Sequence, residues 1–258
     1  MQFELWSFGH ILYILSPFIV LFALYQLFKN SSEKTKHIVG VVIGVISLSI
    51  IVARNIDITI RNGFDPQAIP LQVCHFGNIM VFIALIFKNK TAAAIAFCLN
   101  MPFAFSSLIE AGSLAAYSTI FSIRAQAYIW GHLFIVVGAV YPVLLKTIRF
   151  GLKDMLRGLF VLSIIFIMAM AMNILFNGIG YTSINYFYAF NSSGVPFEMF
   201  ENLAPKFNIM FKNTTNLFVA WDYVYTMCIV VLGIVANFLM YGFSRAIYII
   251  GRKKQIVA

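Results

Sequence analysis

Few residues in this chain could do chemistry. The stretch IPLQVCHFGN, residues 69–78, sets Cys74 beside His75. His10 and His132 lie in apolar surroundings, and WDYVY supplies Asp222. A cysteine attacks as its thiolate, and a nearby histidine can take its proton. Such a pair in a pocket could accept an acyl group. Adjacent helical residues do not face each other, so His75 is a poorer partner for Cys74 than His132 on another segment. Asn78, one turn on from Cys74, could donate to a developing oxyanion or bond to a neighbouring helix. Asp222 could orient His132 or His10, as a third group orients a base, or pair with Arg124 or Arg61. Packing is the plain alternative for a lone cysteine, and a buried histidine needs only a hydrogen-bond partner. His10, Cys74, His75, His132 and Asp222 could in principle bind a metal. No short ligand spacing beyond the adjacent Cys-His supports it, so neither metal nor cofactor is expected.

These residues must be positioned by unusually apolar elements. Of 258 residues, 61% are hydrophobic and 10% charged, against about 25% charged in soluble domains. A soluble fold of this length has too little interior for so much apolar surface. The expected class is an all-α polytopic membrane protein. The net charge of +9 does not point to nucleic acid, because the basic residues fall in short gaps between apolar runs. Three cysteines without a close pair make no disulfide framework, and Cys98 and Cys228 read as packing residues.

A spanning helix needs roughly 20 apolar residues. Seven runs qualify: 8–28, 37–53, 69–87, 91–109, 125–145, 156–176 and 217–243. Together they form one transmembrane domain. The first run outlasts a signal peptide and is read as a retained span. The second is short, with room to extend toward Ile58, and Asn100 and Pro102 predict a kink in the fourth. Segment 177–216 is too long for a simple connector and rich in aromatics, so part of it is expected in the interface or re-entering the bundle. With the N-terminus outside and the C-terminus inside, 13 of the 18 Lys and Arg residues fall on the inner side and 5 on the outer, as the positive-inside rule requires.

Polar residues inside spans are costly and usually functional. Here His10, Cys74 with His75, His132, Asn173 and Asp222 fall toward the outer ends of their spans, and Asn185 lies in the long outer segment. Cys74 and His132 share a depth of roughly 7–11 Å at 1.5 Å per residue. Pro70 is expected in the first helical turn, which keeps Cys74 near the positive end of the helix dipole. Trp6, Tyr128, Trp130 and Trp221 read as interface anchors. A retinal protein is excluded, because span seven offers no lysine for a Schiff base. A transporter finds no support from matched broken helices or a ring of charge.

Several motifs in order resemble a known family. They are WSFGH at 6–10, RNIDITIRNG at 54–63, IPLQVC at 69–74, WGHLFIV at 130–136 and NILFNGIGYTSINYFY at 173–188 before a proline, Pro196. Together they resemble the YwaF family of bacterial integral membrane proteins, which is related to the transmembrane protein 164 acyltransferases. Gln72 stands where that pattern carries a histidine. The resemblance implies Cys74 as nucleophile and acyl carrier and His132 as base. Asn78, His10, His75, Gln72, Asn173, Asn185, Tyr186 and Asp222 are expected as supporting or substrate-binding residues. The implied reaction moves a fatty acyl chain between a phospholipid and a lysophospholipid through an acyl-cysteine. The implied setting is the cell membrane, with the pocket toward the outer leaflet. The alternatives are a membrane lipid ester hydrolase, or a non-catalytic lipid-binding or transport protein.

Overall fold

The structure is a computed structural model that describes residues 3–181, 184–190, 200, 207–210 and 218–256. Among these, seven helical segments are long and apolar enough to cross a membrane. They are α1 (Phe8–Phe28), α2 (Glu33–Asn62), α3 (Val73–Phe87), α4 (Lys90–Ile109), α5 (Ile123–Leu144), α6 (Leu152–Gly178) and α7 (Tyr223–Ile256). The protein is therefore an all-α membrane bundle. Two short antiparallel strands, Phe207–Met210 and Phe218–Trp221, precede α7 and pair Phe207 with Trp221.

The ends of several helices differ from the simple apolar runs, for local reasons. α2 runs nine residues beyond position 53. Ser32 caps its start by accepting from Thr35 N–H. Near its end Arg61 pairs with Asp57 at 2.7 Å, an i,i+4 contact that supports the final turns. α3 begins at Val73, not at position 69. Ile69 precedes a proline and is extended (ψ 124°), as a pre-proline residue must be. Pro70 therefore lies outside the helix, Gln72 is its N-cap, and Cys74 is the second helical residue. α4 carries the expected distortion as a π-turn, Ala96–Asn100, just before Pro102. Proline has no N–H for the i−4 carbonyl, and the wider turn accommodates that loss. α7 begins at Tyr223 because the Asp222 carboxylate accepts from Tyr225 N–H at 2.8 Å and caps it.

α4 and α5 are the most buried spans, and α1, α6 and α7 turn more of their surface outward. Lipid supplies no hydrophobic drive between helices, so close approach of small residues matters. Gly40 and Gly44 let α2 lie against Leu85 and the Phe82 backbone of α3. Gly131 packs against Asn78, and Gly138 admits Val81 and Ile43. Tyr141 adds a hydrogen bond from α5 to the Lys36 carbonyl at 2.7 Å. The long segment between α6 and α7 also returns to the bundle. Ile184, Tyr186, Phe187, Ala189 and Phe190 are all buried.

Gly138 offers a direct check of this packing. A Cβ there would overlap Val81 Cγ1, and a helical valine has one strongly preferred rotamer. Gly138→Ala should destabilise the protein by about 1–3 kcal/mol, read as a lower thermal unfolding midpoint in detergent. Gly112→Ala, where nothing lies within 4 Å of the new Cβ, should leave the midpoint unchanged.

Candidate active site

Cys74 and His132 meet across the α3–α5 interface. The Cys74 thiol lies 3.0 Å from His132 Nε2. The other ring nitrogen, Nδ1, lies 2.7 Å from the Tyr128 carbonyl one turn earlier. A carbonyl only accepts, so Nδ1 carries the proton and Nε2 presents its lone pair to the thiol. The Tyr128 ring lies against the imidazole, with centroids 4.2 Å apart. Its hydroxyl donates to the Ser107 carbonyl at 3.0 Å. Tyr128, expected as an interface anchor, thus positions His132 from inside the bundle. A backbone carbonyl orients the base, not Asp222.

The two residues make contact although their helices start at different levels. His132 is nine residues into α5, whereas Cys74 is one residue into α3. The start of α3 therefore sits roughly 12 Å deeper than that of α5, at 1.5 Å per residue. Asn100, placed by the π-turn and fully buried, donates to the Val73 carbonyl at 2.9 Å and anchors that deep start. α3 has no side-chain cap. The N–H groups of Cys74 and His75 therefore lack helical acceptors and point toward its N-terminal side.

Cys74, His75, Gln72 and His132 all line a cavity of about 540 Å³. Its polar end also carries Arg54, Ser106, Ser107, Glu110, Tyr117, Tyr128 and Tyr188. Ser107 lies within hydrogen-bonding reach of Cys74. Burial pushes the Tyr188 phenol above its ordinary range, so it stays an O–H donor. The other end is a mainly apolar limb lined by Leu99, Phe103, Leu162, Phe166, Ile229 and Gly233, with Ser163 and Asn237 among them. Ile167 (66% exposed) and Ile234 (42%) also line it, so the limb reaches the side of the bundle between α6 and α7. A smaller chamber of about 90 Å³ lies behind Cys74, bordered by Arg54, Arg124, His75, Asn78 and His132.

The remaining candidates have other places. Asn78 donates to the Cys74 carbonyl at 3.0 Å and accepts from Ser47 at 2.7 Å. It ties α3 to α2 and lines the smaller chamber only. His10 accepts from Trp6 N–H at 2.9 Å through Nδ1, so its Nε2–H donates to the Leu108 carbonyl at 2.9 Å. It is fully buried and lines neither cavity. Asp222 caps α7, and Arg61 is paired with Asp57. Among the described residues no three His, Cys, Asp or Glu side chains converge.

Asn173, Asn185, Tyr186 and Gln72 form one latch. Asn173 grips Tyr186 through both backbone atoms, donating to the carbonyl at 3.0 Å and accepting from the N–H at 2.6 Å. The Tyr186 hydroxyl reaches the Pro66 carbonyl. Gln72 donates to the Asn185 carbonyl at 3.0 Å, while its own Oε1 is buried without a partner. This latch holds Phe187 and Tyr188 at φ 56° and 51°, a left-handed conformation that non-glycine residues seldom adopt. Both side chains line the cavity. Pro196 lies outside the described residues.

Sequence reasoning missed Asn100, Ser107, Tyr128 and Arg54 as parts of the site. A polar residue before a proline in an apolar run was the available signal for Asn100. Ser107 and Arg54 carry no local signal.

Fold and site together define a class: a seven-helix membrane protein with a hydrogen-bonded Cys-His pair in the wall of an amphipathic cavity. Residues 5–241 match the TMEM164 family, and the chain belongs to that family. No curated protein and no solved structure matches it.

Asn173→Ala removes two buried hydrogen bonds and orphans the Tyr186 backbone. It should lower stability by about 1–3 kcal/mol, and limited proteolysis in detergent should cut faster near residues 178–190.

Proposed function

We propose that this protein is a phospholipid acyltransferase that carries the acyl chain on Cys74. One observation supports this most directly. A thiol donates to a histidine nitrogen whose tautomer a main-chain carbonyl holds, at the junction of a polar chamber and an apolar limb. The limb suits a fatty acyl chain, and its opening between α6 and α7 suits entry from the bilayer. The positive-charge bias supports an N-terminus outside, an orientation that would set this pocket at the level of the outer leaflet of the cell membrane.

His132 Nε2 takes the thiol proton as Cys74 Sγ attacks the ester carbonyl carbon. The carbonyl oxygen becomes an oxyanion facing the N–H groups at the start of α3, with Ser107 and Tyr188 as further donors. Collapse breaks the acyl C–O bond. The imidazolium returns its proton to the departing lysophospholipid alkoxide, and a thioester remains on Cys74. In the second half, His132 takes the proton of an incoming lysophospholipid hydroxyl, whose oxygen attacks the thioester. Cys74 leaves as thiolate and recovers the proton. The base needs no carboxylate, because the Tyr128 carbonyl stabilises the imidazolium N–H that forms. With water as the acceptor the same intermediate would make the protein a lipid ester hydrolase. Free fatty acid would then accumulate in place of a remodelled phospholipid.

Intact-protein mass after incubation with phospholipid tests this reading. An acyl adduct is expected on the parent chain and none on Cys74→Ala. His132→Ala should form it at least about 100-fold more slowly. No adduct on the parent chain, with lipid composition unchanged, would leave a non-catalytic lipid-binding protein. Gly233→Leu should narrow the apolar limb, because a Cβ there already meets Leu99 Cδ1 at 3.7 Å. In competition between a short-chain and a long-chain donor, that variant should shift acylation toward the short chain.

A further inference from the structure

We propose that Arg54 and Arg124 form a phosphate-binding site beside Cys74, which holds the headgroup phosphate of the lipid. The reading rests on the acyl-transfer proposal for the lipid, but the anion site itself follows from the contacts of the two arginines.

The two guanidinium groups are brought together by one residue. Arg54 Nη1 donates to the Gln67 carbonyl at 3.1 Å, and Arg124 Nη2 donates to Gln67 Oε1 at 3.2 Å. They lie close enough for their charges to repel. Like charges held this way, partly buried, are costly unless an anion joins them. Among the described residues no carboxylate pairs with either arginine. The ion pairs among the described residues are Lys36–Glu33 and Arg61–Asp57. Asp65, the acid that acts on Arg54, already accepts from Gln67 N–H and from Asn62 Nδ2. Glu110 lines the larger cavity, is exposed, and pairs with neither arginine.

Unpartnered nitrogens mark where an anion would sit. Arg124 Nε–H is a buried donor without a hydrogen-bond partner, and His75 Nδ1, which donates in its Nδ1–H tautomer, is a second buried nitrogen without one. Both residues border the smaller chamber, together with Arg54, Cys74 and His132. Arg54, Cys74, His75 and His132 also line the larger cavity, so the chamber lies beside the space where the acyl ester would lie. A phosphate diester offers several acceptor oxygens in a compact anion, which suits paired guanidinium forks. The start of α3, with Cys74 and His75, borders this chamber and adds the positive end of its helix dipole. A lipid phosphate in this chamber would keep the glycerol ester near Cys74 and the acyl chain in the apolar limb.

The test separates binding from catalysis by using full-length Cys74→Ala protein in a phosphate-free detergent. Binding of lysophosphatidylcholine is compared with that of a monoacylglycerol of the same chain, which lacks the phosphate. The lysophospholipid should bind about tenfold or more tightly, and Arg124→Gln or Arg54→Gln should abolish that preference while monoacylglycerol binding persists. Persistence of monoacylglycerol binding also shows that each variant is folded. If a glutamine variant loses both ligands, Arg124→Lys must bind both and retain part of the preference, or the proposal falls. Inorganic phosphate as competitor separates the sources. Weak competition against tightly bound lysophospholipid supports a lipid headgroup. Competition at the lysophospholipid's own concentration, lost in Arg124→Gln, supports the anion site with free phosphate as its ligand. Equal binding of the two lipids without phosphate competition, or a preference untouched by either glutamine variant, would overturn the proposal. The absence of an acyl adduct on the parent chain would not affect this result, because Cys74→Ala cannot form one.

Discussion

The hydrogen bond from His132 Nδ1–H to the Tyr128 carbonyl is the constraint on which the site depends. At 2.7 Å it closes within a single helix, between residues one turn apart. It settles the tautomer and leaves Nε2 able only to accept. In an apolar bundle that lone pair needs a donor, because an unmatched polar atom there costs several kcal/mol. Cys74 supplies the donor. The pair is thus a structural solution to a buried imidazole. In the proposed reaction the same bond aims the proton transfer.

Cys74 must arrive at the right depth, and here the positioning is non-local. The pre-proline geometry of Ile69 keeps the chain extended as it descends, and α3 starts late. The π-turn of α4 then presents Asn100 to the Val73 carbonyl. From the other side, Gln72 reaches Asn185 in the re-entering segment. Asn173 grips Tyr186 by both backbone atoms, which stabilises the left-handed residues that follow. Loss of any one contact would move the thiol along or around its helix, and a hydrogen bond of 3.0 Å tolerates little of that.

Much of this was legible in the sequence, for physical reasons. In lipid, a span must satisfy its own backbone over roughly 20 residues, so apolar run length reports directly on the seven helices. The kink before Pro102 followed from a missing N–H. Cys74 and His132 could be singled out as possible chemistry because polar groups in spans are rare. Which hydrogen bonds each residue makes was less accessible. Asp222 could be read as an orienting acid, yet a helix starts directly after it and it acts as that helix's N-cap. His10 looked like part of the polar layer, but both its nitrogens tie the N-terminal turn to α4. Asn78 was open between two roles, and its contacts with Ser47 and the Cys74 carbonyl are those of an interhelical tie. These outcomes depend on which helices become neighbours, and no local periodicity encodes that.

The position of the cavity has a cause independent of the Cys-His pair. Non-helical backbone at membrane depth is tolerated only where it is buried in protein or lines a polar space. Four departures from regular α-helix border this one cavity. They are the extended entry to α3, the π-turn of α4, the 3-10 turn Ala111–Ala116 and the strained turn Tyr186–Tyr188. Each contributes lining residues: Gln72, Leu99, Ser113, and Phe187 with Tyr188. Straight helices would have packed this volume with side chains. The breaks displace backbone from the bundle interior and leave peptide groups and polar side chains facing a shared space. The apolar limb between α6 and α7 lets that space meet the lipid. An amphipathic molecule already in the bilayer could then bring its polar end to the breaks while its chain stays in mainly apolar surroundings.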